Sequence, residues 1–281
     1  MKVLQALEIA SQEPSARSKP GRHYTGTMAR STTRLRASTA RANAWDSSGG
    51  EPLLSRLDGH PAVRLRDAAT LQEAGGLASR VLAARDRWTP DFGGEQFALG
   101  RAFYTHLETG RAKEYFAGAA ASDALVEGVL PGVPARTLAL LRRLLGGEVR
   151  RRPGFCGPGV HVFPAGGKVA REGGVVHFDL EGLTDHQKAL RHRAVTLVWM
   201  LQPAAFGGGL RLWDALFDGR PDSEIDPADR AHVTVRSDAG DAVLIDSRRL
   251  HQIRPFRGER DRVSITVHGV EVDRGVWEAW F

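Results

Sequence analysis

Gly173-Gly174-Val175-Val176-His177-Phe178-Asp179-Leu180 is the stretch on which the reading of this chain turns. It predicts a short strand opened by two glycines. Residues two apart in a strand project from one face, so His177 and Asp179 share a pocket while Val176 and Phe178 point away. A site for one metal ion needs a third ligand from elsewhere, and the best candidate is His251. It lies in the segment Asp241–Pro255, Asp-Ala-Val-Leu-Ile-Asp-Ser-Arg-Arg-Leu-His-Gln-Ile-Arg-Pro. Two imidazoles and one carboxylate on one side of a metal leave its other positions open, a donor set that suits non-haem Fe(II) oxygen chemistry.

Composition sets how specific this motif is. The chain has 10 His and 33 acidic residues in 281 positions, so about one His-x-Asp/Glu is expected by chance and a match is only a hypothesis. The second match is His106-Leu107-Glu108. It falls in a segment, Gln96–Tyr115, whose composition predicts a helix, and there residues two apart diverge by about 200° and do not chelate one ion. The strand setting favours His177 and Asp179.

Further elements follow in a fixed order: a Gly-Gly-Gly-Leu-Arg-Leu-Trp strand at 207–213, Ala-Gly-Asp-Ala-Val-Leu-Ile at 239–245 leading into Leu250-His251, then Arg262-Val263-Ser264. Together with His177-Phe178-Asp179 this order resembles the Fe(II)/2-oxoglutarate-dependent oxygenases, closest to their prolyl-hydroxylase-like branch, over roughly residues 159–269. The resemblance implies a mainly β fold, a double-stranded β-helix (a jelly-roll or cupin-like barrel) preceded by N-terminal helices. It also implies that His177, Asp179 and His251 are the catalytic Fe(II) ligands, with 2-oxoglutarate as co-substrate, O2 as oxidant, and succinate and CO2 as co-products. Relatives that halogenate lack the carboxylate, so Asp179 implies oxygenation of a C–H bond, that is, hydroxylation.

The strand 263–267 bears on the co-substrate. Val263, Ile265 and Val267 share one face, while Arg262, Ser264 and Thr266 share the other, so a guanidinium and a hydroxyl point inward together. Arginine presents a fork of donors matched to a carboxylate. Resemblance to the family's Arg-x-Ser motif gives Arg262 the distal carboxylate of 2-oxoglutarate, with Ser264 assisting and Arg260 as the substitute. The alternative is an edge-strand arginine in solvent. His161 and Phe163 occupy a strand where relatives often carry a tyrosine that touches the co-substrate, and this chain has none there. Trp199 and Trp213 read as core.

Length permits one large domain or at most two, and 42% apolar residues are enough for a core. No apolar run approaches the roughly 18–20 residues of a bilayer span. The single cysteine, Cys156, excludes an internal disulfide and is compatible with a reducing, cytoplasmic setting. The net charge of +6 invites a nucleic-acid partner, but residues 1–50 hold eight Lys/Arg against three Asp/Glu, while the rest holds 31 against 30. The basic excess is thus a property of a Ser-, Thr-, Ala- and Arg-rich tail, 1–50, expected to be disordered. It reads either as a solvated tail or as an extension before a start at Met28, with a transit peptide as a third reading.

From residue 51 to 147 the chain predicts a helical layer. Apolar residues from Leu71 to Leu82 follow the spacing of one helix face within Asp67–Asp86, with Asp67 as N-cap. A second amphipathic helix spans Pro134–Leu145 and stops at Gly146-Gly147. Between them, Phe92–Gly128 reads as mostly helical, broken at Gly93-Gly94. Residues 148–281 switch to about nine short Val-, Leu- and Ile-rich strands between Gly, Pro, Asp and Ser, the pattern of a β-sandwich or jelly roll.

Glu181, Asp185 and His186 follow the first ligands in a loop expected at the barrel mouth, where specificity is often carried. They are candidates for substrate contact, with a solvated charged loop as the alternative. His186 and His192 lack a compelling third ligand for zinc. The expected substrate is a small molecule or amino acid. Three alternatives stay open: a peptidyl, prolyl-type hydroxylase; a non-catalytic binding or sensor module; and a nucleic-acid demethylase, against which the near-neutral charge of residues 51–281 argues. Nothing in the sequence fixes an oligomeric state.

Overall fold

In the computed structural model the described residues are 38–41 (backbone only), 53–228 and 230–281. The basic segment 1–50, Met28 included, lies outside them apart from 38–41. In chain order the first elements are β1 (Ser38–Arg41), α1 (Leu54–Leu57), β2 (Ala62–Arg66), α2 (Leu71–Ala83), β3 (Thr89–Asp91) and β4 (Gln96–Leu99). Next come α3 (Phe103–Glu108), α4 (Ala112–Val129), α5 (Val133–Leu145), β5 (Glu148–Arg151), β6 (Gly159–Phe163), α6 (Lys168–Glu172) and α7 (Asp185–Ala189). The remainder is β7 (Ala194–Gln202), β8 (Phe206–Gly207), β9 (Leu210–Leu216), β10 (His232–Val235), β11 (Ala242–Asp246), β12 (Arg249–Ile253), β13 (Phe256–Arg257), β14 (Arg262–Asp273) and β15 (Val276–Trp280).

The fold is mostly β-sheet with helices. Ten strands form one large sheet whose main path runs β1-β2-β11-β7-β14-β6-β4-β3, with β15 on β14 and β5 on β15. Three others form a smaller sheet, β10-β9-β12. Their facing sides meet in an apolar cluster: Val198, Val243 and Ile245 from the large sheet against Leu210, Leu212, Val235 and Ile253 from the small one. The opposite face of the large sheet presents Leu65, Leu197, Trp199, Leu244, Val263, Ile265 and Val267 to α2, α4 and α5. Every second residue along β14 therefore goes to the helices, and those between, Arg262 through His268, go to the inter-sheet space. Each fully buried Leu or Val contributes about 2 kcal/mol of transfer free energy. The apolar side of α5 (Val133, Leu141, Leu144, Leu145) is held to the sheet in this way.

Local chemistry accounts for most element ends, and it corrects three expectations. The N-cap of α2 is Thr70, whose hydroxyl accepts from the Glu73 N–H at 3.1 Å. Asp67 lies before the helix at φ 56°, its N–H held by the Asp241 carboxylate at 3.1 Å. Gln96–Leu99 is a strand paired with β6 rather than the start of a helix, and Gly100 at φ 95° turns the chain into α3. Tertiary pairing outweighs propensity over so short a run. The expected strand 175–179 reduces to one antiparallel bridge, His177 to His251. Sequence patterning also passed over β2, β3, β15, α6 and α7.

Gly173 marks where the segment carrying His177 begins. Its φ is 88°, and a Cβ there would sit 2.9 Å from the Ile253 carbonyl oxygen, so the chain lies against β12 only because no side chain intervenes. The Gly174 N–H then donates to the Ile253 carbonyl at 2.9 Å, and the Gln252 amide donates to the Gly174 carbonyl at 2.8 Å.

Among the described residues no single helix is long and apolar enough to cross a membrane.

Candidate metal centre

His177 and His251 face one another across the bridge that joins their segments: His177 N–H donates to the His251 carbonyl at 3.0 Å, and His251 N–H returns the bond at 2.9 Å. The rings lie 4.3 Å apart between centroids. Each Nδ1 lies 2.9 Å from a backbone carbonyl two residues earlier, Val175 for His177 and Arg249 for His251. A carbonyl accepts only, so each Nδ1 carries a hydrogen and each Nε2 is left for a proton or a metal. Both Nε2 atoms face one carboxylate. His177 Nε2 is 3.3 Å from Asp179 Oδ1, and His251 Nε2 is 3.3 Å from Asp179 Oδ2.

One donor atom from each of the three lies within 4.8 Å of the others, and among the described residues this is the one His/Asp/Glu/Cys group so arranged. Two imidazoles oriented by carbonyl acceptors plus a carboxylate fit a divalent first-row metal, Fe(II) included. His251 and Asp179 are buried, at 4% and 9% exposure, whereas the His177 side chain retains 35%. The centre thus opens to solvent on the His177 side.

Electrostatics agree with this geometry. Burial pulls the His177 imidazole down, yet the hydrogen bond and charge of Asp179 outweigh it and hold His177 at about 9. Burial pushes Asp179 up, but His251 and His177 overcome it and keep the carboxyl well below its ordinary range. An ionised Asp179 beside a His177 drawn to hold a proton means that the space between these side chains favours positive charge.

Asp179 is also held from behind. Thr196 Oγ1 donates to Asp179 Oδ2 at 2.6 Å, and the same hydroxyl lies 2.9 Å from Ser247 Oγ and 3.0 Å from His268 Nδ1. Sequence reasoning missed Thr196, Ser247 and His268. The available signal was a polar residue at an inward position of an otherwise apolar strand, Ala-Val-Thr-Leu-Val-Trp-Met-Leu, and one more inward step along β14.

Arg262 stands on β14 opposite Phe163, and Ser264 stands opposite His161. The β14–β7 register shifts between Val263 and Ser264, a bulge that re-aims side chains at this point. The Arg262 guanidinium is 3% exposed and lies over the Phe163 ring at 5.1 Å. Its hydrogen bond is to Ser264 Oγ at 3.3 Å, its Nε has no partner, and no carboxylate lies within ion-pair reach among the described residues. Burial alone pulls it down to about 10. A buried cation without an anion is costly unless a ligand supplies one, so this cradle fits a carboxylate. Arg260 is exposed. His161, 6% exposed with Nδ1 unpartnered, adjoins the cradle and is pushed down to about 3, chiefly by burial, and so stays neutral.

The other sequence candidates separate. Glu181 sits within electrostatic reach of Asp179, His177 and Glu108, and burial followed by Asp179 raises it to about 7. Asp185 and His186 are exposed on α7 rather than in an open loop: Asp185 lies 3.9 Å from Lys188, and the His186 ring is 6.0 Å from that of His192. Trp199 and Trp213 are core, at 0% and 3% exposure. His106-Leu107-Glu108 lies on α3, with His106 Nδ1 engaged by the Ala102 carbonyl at 2.8 Å.

Residues 168–268 match the family model of the 2OG-Fe(II) oxygenase superfamily. No curated protein sequence matches the chain. Among solved structures, the fold is similar to that of the non-haem alpha-ketoglutarate-dependent carbocyclase SnoK from nogalamycin biosynthesis (15% identity, 80% of this chain and 85% of that one, TM-score 0.51). It is equally similar to an N-substituted L-amino acid dioxygenase from Burkholderia ambifaria in complex with alpha-KG (14% identity, 82% and 90%, TM-score 0.51). A Pseudomonas putida prolyl-4-hydroxylase also matches, at 17% identity, 78% and 96% coverage and TM-score 0.39. His177, Asp179, His251 and the buried Arg262 all lie inside the matched segment, so that residues 168–268 are similar to the 2OG-Fe(II) oxygenase superfamily, whose members use Fe(II), 2-oxoglutarate and O2.

Proposed function

We propose that this protein is a cytoplasmic 2-oxoglutarate-dependent hydroxylase of a small molecule or amino acid, built on a double-stranded β-helix formed by the two facing sheets. The observation that carries the reading is Arg262: a buried guanidinium with no anion, on the inward face of β14, in the same inter-sheet space as His177, Asp179 and His251. A buried guanidinium that a carboxylate ligand would neutralise, together with a candidate metal site in one space, supports the co-substrate reading.

In this reading His177 Nε2, His251 Nε2 and an Asp179 oxygen hold Fe(II), while Arg262 and Ser264 receive the distal carboxylate of 2-oxoglutarate. When bound, iron and co-substrate supply the oxidation, coupling oxidative decarboxylation to attack on a C–H bond. The chain supplies orientation. Backbone carbonyls fix both imidazole tautomers, the Phe163 ring under Arg262 excludes water from the cradle, and neutral His161 adds no charge beside the incoming carboxylate. Solvent access on the His177 side gives the substrate its approach. Glu181 and Glu108 lie within electrostatic reach of His177 and of one another, which favours a substrate with hydrogen-bond donors or positive charge.

Anaerobic visible absorption with Fe(II) tests the reading. A weak charge-transfer band that appears on adding 2-oxoglutarate, and is lost in Arg262→Ala at the same co-substrate concentration, is the expected result. No band, with metal bound elsewhere or absent, returns the weight to a non-catalytic module.

A further inference from the structure

Thr196 has a single hydrogen to give and three polar neighbours. At 2.6 Å from a carboxylate oxygen, which only accepts, the hydroxyl hydrogen goes to Asp179 Oδ2. The Thr196 oxygen is then an acceptor with two lone pairs. Two donors stand at hydrogen-bond distance from it: Ser247 Oγ at 2.9 Å and His268 Nδ1 at 3.0 Å. That fixes the direction of every proton in the cluster. His268 carries its hydrogen on Nδ1 and, with Ser247, turns the Thr196 hydroxyl toward the carboxylate.

The backbone makes this arrangement rigid. Thr196 and His268 are register partners on β7 and β14, the Ser247 N–H donates to the Ala194 carbonyl at 3.0 Å, and the Asp179 N–H donates to the Ser247 carbonyl at 2.8 Å. Thr196, Ser247 and Asp179 are each at most 9% exposed, so water does not substitute for a missing partner.

We propose that Thr196 is a positioning residue for Asp179, oriented by His268 and Ser247: it commits Oδ2 to the protein and leaves Oδ1, the oxygen nearer His177, for a one-oxygen bond to the metal. The inference rests on the metal reading above and adds to it which oxygen is used and what holds it. Partners behind a ligand commonly set metal affinity because they fix the ligand's orientation before the ion arrives.

The test is an anaerobic Co(II) titration of the metal-stripped full-length chain, followed by visible absorption without co-substrate. T196V keeps the shape and removes the donor, and it is expected to weaken Co(II) binding about 10- to 100-fold, with T196S staying within about threefold of the wild type. H268L is expected to move in the same direction as T196V, while H268N, which retains an N–H at the δ position, recovers most of the affinity. Unchanged thermal unfolding of the metal-free variants separates positioning from folding. Should T196V fail to fold, the H268L and H268N pair decides. Wild-type affinity in both T196V and H268L overturns the inference. H251A is the control: if it binds Co(II) like the wild type, the triad itself is wrong and this inference goes with it, whereas a weakened H251A beside an unchanged T196V sinks only the role of Thr196.

Discussion

His177 and His251 are oriented by the same device: each donates its Nδ1 hydrogen to the carbonyl two residues earlier, at 2.9 Å, while their backbones exchange hydrogen bonds across a single bridge. One local interaction sets both tautomers and one pairing sets their separation. Neither histidine depends on the metal for its orientation. His251→Ala or Asp179→Ala should therefore leave circular dichroism and the melting temperature close to wild type while Fe(II) content and succinate formation fall to background. Full succinate formation in either variant would falsify the ligand set.

Removal of Arg262 should separate co-substrate from metal. Two charge-assisted hydrogen bonds to a carboxylate are worth about 3 kcal/mol together, so Arg262→Ala should raise the KM for 2-oxoglutarate about 100-fold. Metal affinity should stay at the wild-type value, since Arg262 touches no ligand of the triad. Steady-state kinetics with isothermal metal titration checks both halves, and a joint loss of the two would point instead to collapse of the inter-sheet space.

Metal uptake should depend on pH through His177. Burial opposes its protonation, but Asp179 holds it at about 9 in the metal-free protein, so metal and proton compete for Nε2. Apparent Mn(II) affinity should climb by up to about tenfold per pH unit between about 6 and 9 and level off above that. For the metal-free fold the sign is opposite. An imidazole whose folded pKa exceeds its ordinary 6.5 adds stability that is complete below 6.5 and is lost as pH rises through about 9. Calorimetry at fixed ionic strength checks the binding half, and a flat affinity profile would remove His177 from the ligand set.

Asp91 offers a stability prediction away from the triad. Its carboxylate is 0% exposed, and burial raises it to about 6 against the opposing pull of the Thr105 hydroxyl and the Arg111 charge. An acid raised in the folded state carries no penalty below pH 3.8, a growing one up to about 6, and the full one above. Asp91→Asn should then stabilise the protein by about 2 kcal/mol at pH 8, a rise of several degrees in melting temperature, and change little near pH 4. Equal shifts at both pH values would mean that charge is not the cause.

The sequence by itself determined what strand periodicity and residue chemistry reach. The two-residue spacing of His177 and Asp179 put both on one side, the alternation from Arg262 to Val267 separated an inward guanidinium from an outward apolar face, and Gly146 closed α5. It stopped where identity depends on distant partners. His177 and Asp179 do not sit in a regular strand; the bridge to His251, 74 residues on, holds them. Gln96–Leu99 is a strand because β6 pairs with it, and Thr196 reads as one more residue in an apolar run until β14 brings His268 beside it. Hydrogen-bond direction and burial are properties of packed neighbours, and only the tertiary structure brings those neighbours within reach.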